Sequence, residues 1–215
     1  MTTEDIEVFT QSSIRIRAKE GILYLDPFRL QEEAHDADYI LITHDHYDHF
    51  SPEDIRKAAG ENTVLIVPEK MEQKAKKKVT FLSRICTVRP GEKLEIDGLM
   101  LETVPAYNML KPFHMKSAGW VGYMIQLEDK RIYMAGDTDA TKEAEQVKCD
   151  IALVPIGGFY TMEAIKAAEL INRICPETAI PIHYGSIVGK PADAEVFAAH
   201  VKEPVKVEVK IKEFG

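Results

Sequence analysis

Cysteine, asparagine and tryptophan are scarce in this chain of 215 residues, and long apolar runs are missing. The three cysteines, Cys86, Cys149 and Cys175, are far apart and odd in number, which excludes a disulfide framework and a thiolate zinc ribbon. The expected compartment is therefore reducing. No apolar run approaches the roughly 18 residues of a membrane span. The opening MTTEDIEVFT carries acids where a secretion signal would carry Lys or Arg. Together these absences lead to the expectation of a cytoplasmic protein with no membrane span. Asparagine occurs only as Asn62, Asn108 and Asn172, which fits a thermostable protein. An excess of positive charge is also missing: 27 Lys plus Arg against 35 Asp plus Glu give a net −8, so no nucleic-acid partner is expected.

What is present is ordinary globular composition, 45% hydrophobic and 29% charged, over a length that suits a single domain spanning 1–215. Period-two alternation in IEVF (6–9), SIRIRA (13–18) and GILYLD (21–26) predicts short strands, and DYILIT (38–43) reads as a strand buried on both faces. Ser51 followed by Pro52 and two acids marks a helix start, running to about Ala59. Strands at 63–67, 85–88, 93–97 and 99–104 and a hairpin through Glu128-Asp129 are expected next, with the run KMEQKAKKKV (70–79) as a solvated helix face. Strand and helix then alternate: DIALVPI (150–156), TMEAIKAAELINRI (161–174), ETAIPI (177–182), ADAEVFAAHV (192–201) and VKVEVKI (205–211). The fold class is α/β or α+β, with helices packed outside mixed sheets.

The chemistry concentrates in THDHYDHF (43–50). His44 and His46 are two residues apart, so in an extended chain their side chains point the same way and can bind one metal. Asp48 and His49 follow in the turn before the Ser51-capped helix and can face a second metal. Neutral imidazoles with a carboxylate suit zinc and other divalent first-row metals better than calcium. Asp137, in AGDTDA (135–140), stands at another strand end, where a carboxylate could bridge two ions, and His183 follows the apolar ETAIPI run.

Through THDHYDH, GDTD and PIHYG in that order, the chain resembles the metallo-β-lactamase fold superfamily of metal-dependent hydrolases, with Asp26 in YLDPF matching the family's first acidic motif. The likeness is greatest to the branch of ascorbate-6-phosphate lactonase and N-acyl-phosphatidylethanolamine phospholipase D. It implies a four-layer αββα sandwich, with His44 and His46 on one metal, Asp48, His49 and His183 on the other, and Asp137 between them. The family's third histidine on the first metal falls near Asn108 here; His114, the nearby imidazole, either reaches back into the site or leaves that metal one imidazole short. Asp26, Asp45 and Asp139 are candidates to orient the ligands, while His35 and His200 read as structural.

Two divalent transition-metal ions, zinc foremost and manganese or iron as substitutes, would acidify a bound water for attack on an ester, lactone, amide or phosphodiester, with Asp48 as its proton partner. The substrate is then a small molecule, and Tyr107, Lys111, Lys116 and Tyr184 lie in loops where they could bind an anionic group on it. The competing readings are a metal-binding protein without turnover and a di-iron redox protein of the same fold. The latter generally carries Glu where this chain has His46.

Overall fold

Alternation along the early strands sorts their side chains onto two faces. In the computed structural model, which describes residues 1–109 and 114–211, the first sheet runs in the order β1 (Ile6–Val8), β2 (Ile14–Ala18), β3 (Gly21–Leu25), β4 (Ala37–Leu41), β5 (Ala59–Pro68) and β6 (Arg84–Val88). The pairings among β1, β2 and β3 are antiparallel and the remainder parallel. Leu23, Leu25, Tyr39, Leu41, Val64 and Ile66 enter the main core, whereas the intervening Tyr24, Ile40, Leu65 and Val67 pack on the other face with Ile55, Ala58, Met71 and Ala75. Those last four belong to α1 (Pro52–Ala58), α2 (Glu72–Lys78) and the short turn that precedes α2. A one-residue slip of β4 would exchange its faces, so the register is strongly specified.

The second sheet combines a meander, β7 (Lys93–Ile96), β8 (Leu99–Pro105), β9 (Val121–Leu127) and β10 (Lys130–Met134), with the parallel strands β11 (Ile151–Pro155), β12 (Thr178–Ile182) and β13 (Lys206–Val207). Helices α3 (Ala164–Ile174) and α4 (Asp193–His200) carry the crossovers. On α3, Ala167, Ala168, Leu170, Ile171 and Ile174 are buried, while Lys166 and Glu169 pair in solvent at 2.7 Å. The resulting order is helices, sheet, sheet, helices, the four-layer sandwich expected above. Each buried Leu, Ile or Val contributes about 1.5–3 kcal/mol relative to exposure.

Local signals act as anticipated at α1, where the Ser51 hydroxyl caps Asp54 N–H and Pro52 begins the helix. Two elements differ from expectation. Helix α3 begins at Ala164 rather than at 161, because Glu163 is held in an isolated bridge to Gly157. Among the described residues the last strand pairs only through Lys206 and Val207, with one further bond from Glu208 N–H to the Ala179 carbonyl, and beyond it Glu208 and Lys210 turn to Thr3.

Because β3 and β4 are parallel, and β8, β10, β11 and β12 share one direction through their intervening pairings, the carboxyl ends of all six strands lie on one rim of the sandwich. The two sheets are joined there: Tyr123 Oη donates to the Ile42 carbonyl at 2.7 Å, and Val121 N–H to the Thr43 carbonyl at 3.2 Å. His183 N–H likewise donates to the Gln11 carbonyl at 2.8 Å.

Candidate metal centre

The segment after β4 leaves the sheet buried, and its polar side chains are held from behind. Asp26, at the end of β3, accepts from Thr43 N–H at 2.8 Å and from the Thr43 hydroxyl at 2.6 Å. It also meets His49 Nδ1 at 2.7 Å. With its proton given to Asp26, the Thr43 hydroxyl can only accept from His44 Nδ1, 2.9 Å away, which leaves a lone pair on His44 Nε2. One buried carboxylate and one hydroxyl thus fix the tautomers of two imidazoles and aim both Nε2 atoms forward. Burial raises the Asp26 carboxyl above its ordinary range, against the pull of His49 and Thr43.

Forward of these, seven side chains converge. His44 Nε2 is 3.2 Å from His46 Nδ1 and 3.8 Å from Asp137 Oδ2. His49 Nε2 is 3.4 Å from Asp137 Oδ1 and 3.5 Å from Asp48 Oδ2. His183 Nε2 is 3.4 Å from both Asp48 Oδ2 and Asp137 Oδ2. Three groups have ligand atoms within 4.8 Å of one another: His44, His46 and His114; His44, His49 and Asp137; and Asp48, His49 and His183. All seven are buried except His46, which is half-buried.

Several of these atoms have no hydrogen-bond partner: His49 Nε2, both ring nitrogens of His114 and of His183, and Asp137 Oδ1. Buried polar atoms without partners cost about 1–3 kcal/mol each, so a cluster of them pointing at one another calls for a cation. The electrostatics agree. Burial, reinforced by neighbouring imidazoles, keeps His44 well below the usual histidine range, and burial takes His114 down to about 4 despite Asp137. Both are therefore neutral near pH 7, the form that binds metal. At His49 burial is outweighed by Asp137, Asp26 and Asp48, which lift it to about 9. A cation there displaces that second proton, so acid opposes binding. Burial works against the charge on Asp48, but His183 and His49 hold its carboxyl below the ordinary range.

The sequence left Asn108 and His114 as alternatives. His114 lies in the cluster, its ring centroid 5.3 Å from that of His44 and 4.9 Å from that of His46, on a backbone with φ of 61°. Asn108 instead donates from Nδ2 to the Tyr160 carbonyl at 2.9 Å, and its N–H bonds to the His114 carbonyl at 2.8 Å, so it supports the loop. His114→Ala should accordingly weaken metal retention by at least about ten-fold, the lower end of what loss of a mere orienting partner costs. His200→Ala should leave it unchanged. Competition with a chelator measures both, and equal retention by the His114 variant would transfer the role to Asn108 or to water.

Other candidates fall elsewhere. Asp45 faces away and pairs with Lys74 at 2.9 Å, so it orients no imidazole. Asp139 accepts from Met109 N–H at 3.0 Å and fixes the 107–109 loop. Tyr107 Oη donates to Glu143 at 2.9 Å, and Lys116 pairs with the same carboxylate at 2.6 Å. Tyr184 is fully buried rather than at the loop surface, and burial raises its hydroxyl to about 12. Lys111 lies outside the described residues. His35 and His200 bond to the Ala59 and Val196 carbonyls, away from the cluster. Trp120 and Thr43 were not singled out by the sequence. The Trp120 ring lies 4.8 Å from that of His44 and 4.9 Å from those of His46 and His114.

Comparison with known proteins points the same way. Residues 5–183 match the family model of the beta-lactamase superfamily domain. A UPF0173 metal-dependent hydrolase of Pyrococcus abyssi is 32% identical over 186 residues, covering 83% of this chain and 80% of that protein. The crystal structure of a metal-dependent hydrolase from Parabacteroides distasonis superposes with a TM-score of 0.82 at 25% identity, covering 96% of this chain and 93% of that one. CmlA, a diiron β-hydroxylase from Streptomyces venezuelae, shares the fold at a TM-score of 0.73 and 14% identity, covering 95% of this chain and 52% of that one.

Proposed function

The chain belongs to the beta-lactamase superfamily and, within it, to the metal-dependent hydrolases, and from that premise we propose that it cleaves an ester, lactone, amide or phosphodiester in a small molecule by means of two divalent transition-metal ions. The observation that carries the reading is the overlap of the three ligand groups: His44 and His49 each belong to two of them, and Asp137 touches both sides. One ion would be held by His44, His46 and His114, the other by Asp48, His49 and His183, with Asp137 between them. Zinc suits five neutral imidazoles shared with carboxylates between two ions, and manganese or iron would fit the same donors. Such ions lower the pKa of water toward neutrality and polarise a carbonyl or phosphoryl oxygen.

The chain's own residues supply the remainder. Asp26 and Thr43 keep His49 and His44 in the tautomers that leave Nε2 free. Asp48, ionised and in contact with both His49 and His183, is placed to take the proton of the attacking water and return it to the leaving group. No Ser or Cys nucleophile is required. We further propose that the protein works in the cytoplasm, in keeping with its three free cysteines.

Elemental analysis of protein purified without chelator, together with a panel of ester, lactone, amide and phosphodiester substrates, tests this. Close to two transition-metal ions per chain and chelator-sensitive hydrolysis are expected. Failure to bind zinc, manganese or iron on reconstitution, or hydrolysis that survives full chelation, would overturn it.

A further inference from the structure

We infer that the substrate carries an apolar group beside the bond that is broken, seated on Trp120 and on a rim formed by Tyr47, Met109, Met115 and Phe159; the inference rests on the hydrolytic reading above. The loops that build the cluster put large apolar side chains into solvent, two of them next to cluster residues and two next to residues that support the cluster. Tyr47 stands between His46 and Asp48, Met109 follows Asn108, Met115 follows His114, and Phe159 precedes Tyr160. These four are 57–66% exposed, and they make up half of the eight large exposed hydrophobic residues among those described. Scattered single residues of this kind need no explanation, whereas four on the loops of one cluster do.

They connect to the site through rings. Phe159 meets Tyr160 at 4.7 Å between centroids, Tyr160 stacks on His114 at 5.9 Å, and His114 meets Trp120 at 4.9 Å. On the other side Tyr47 meets Phe28 edge-on at 6.0 Å. Trp120 is itself half-buried, so part of its indole faces solvent beside three imidazoles. Unbranched methionines on such a rim adapt to ligands of varied shape.

Among the described residues, the cations on these loops already have partners. Lys116 is held by Glu143 at 2.6 Å and lies over the Tyr107 ring, Lys74 is held by Asp45 at 2.9 Å, and Arg29 bonds to Ser186 and lies over Phe28. An anionic substrate tail would therefore have to compete for these cations with the partners they already hold. An apolar tail has only to cover surface that is now in water.

Trp120 is the sole tryptophan, so its emission reports on the site without any turnover. Titration of the zinc-loaded protein with n-alkanols from butanol to octanol should shift that emission, with affinity rising about two- to four-fold per methylene. The p-nitrophenyl esters from acetate to hexanoate should show the same trend in kcat/KM, and the p-nitrophenyl half-ester of glutarate should be turned over more slowly than the neutral hexanoate. The double variant Met109→Ser/Phe159→Ser should roughly halve the gain per methylene. Length dependence in the alkanols without hydrolysis of any ester would narrow the hydrolytic reading to lactones, amides and phosphodiesters and leave the apolar one standing. Hydrolysis that is indifferent to length, alkanol affinity that does not rise with length, or preference for the glutarate half-ester would overturn the inference while leaving the hydrolase intact.

Discussion

Replacing Asp137 by Ala is expected to strip the protein of metal and to lower hydrolysis by about 10³-fold or more. Its two oxygens stand 3.4 Å from His49 Nε2 and from His183 Nε2 and 3.8 Å from His44 Nε2, so it is in contact with imidazoles on both sides of the cluster. Among the described residues no other carboxylate touches His44, His49 and His183 together, so none would balance two adjacent cations at once. Their loss forfeits several kcal/mol of charge stabilisation in the transition state, at about 1.4 kcal/mol per factor of ten in rate. The fold has to be checked alongside, because in the metal-free site Asp137 also offsets the charge that it helps to place on His49. Metal analysis alongside far-ultraviolet circular dichroism measures this. A folded variant that keeps two ions per chain and the parent rate would show that the cluster is not organised around Asp137.

Asp48→Asn is the second large effect, and it separates binding from chemistry. The amide preserves shape and contact with His49 and His183, 3.5 and 3.4 Å away, but cannot take up a proton. Turnover should fall by about 100-fold or more, the usual scale for a positioned acid–base group. The carboxyl is held below the ordinary range, principally by His183 and His49 against the effect of burial, so it stays ionised down through mildly acid pH. The acid limb of the parent's rate profile should therefore follow protonation of imidazoles and release of metal rather than titration of Asp48. Matching rates in parent and variant at equal metal content would assign the proton to another group.

Much of this was legible from sequence, and the pattern of what was not is physical. THDHYDH could be read because its side chains lie within a few residues of one another and the strand period fixes their direction. The two sheets and the outer helices followed from apolar periodicity. Asp137 and His183 stood out through family resemblance, since a lone acid or histidine at a strand end carries no signal of its own. Asp45 misled because its type and place suited an orienting acid, yet it sits between two residues that face the cluster and so turns outward to Lys74. Trp120 and Tyr160 touch the imidazoles only through loop packing, which no local pattern encodes. The orienting role of Thr43 depends on Asp26 arriving from the neighbouring strand.

The cluster also straddles the join between the sheets. His44, His46, Asp48 and His49 come from the rim of the first sheet, and His114, Asp137 and His183 from that of the second. Ions held there would act as cross-links between two halves of the polypeptide that few residues connect covalently. Prising the halves apart would require their release, so the lifetime of the native state would be set partly by how slowly the ions leave. At free ion a thousand-fold above its dissociation constant, one such site adds about 4 kcal/mol to the unfolding free energy. Depletion of the ion would then expose the chain to proteases, tying the abundance of the protein to the supply of its metal.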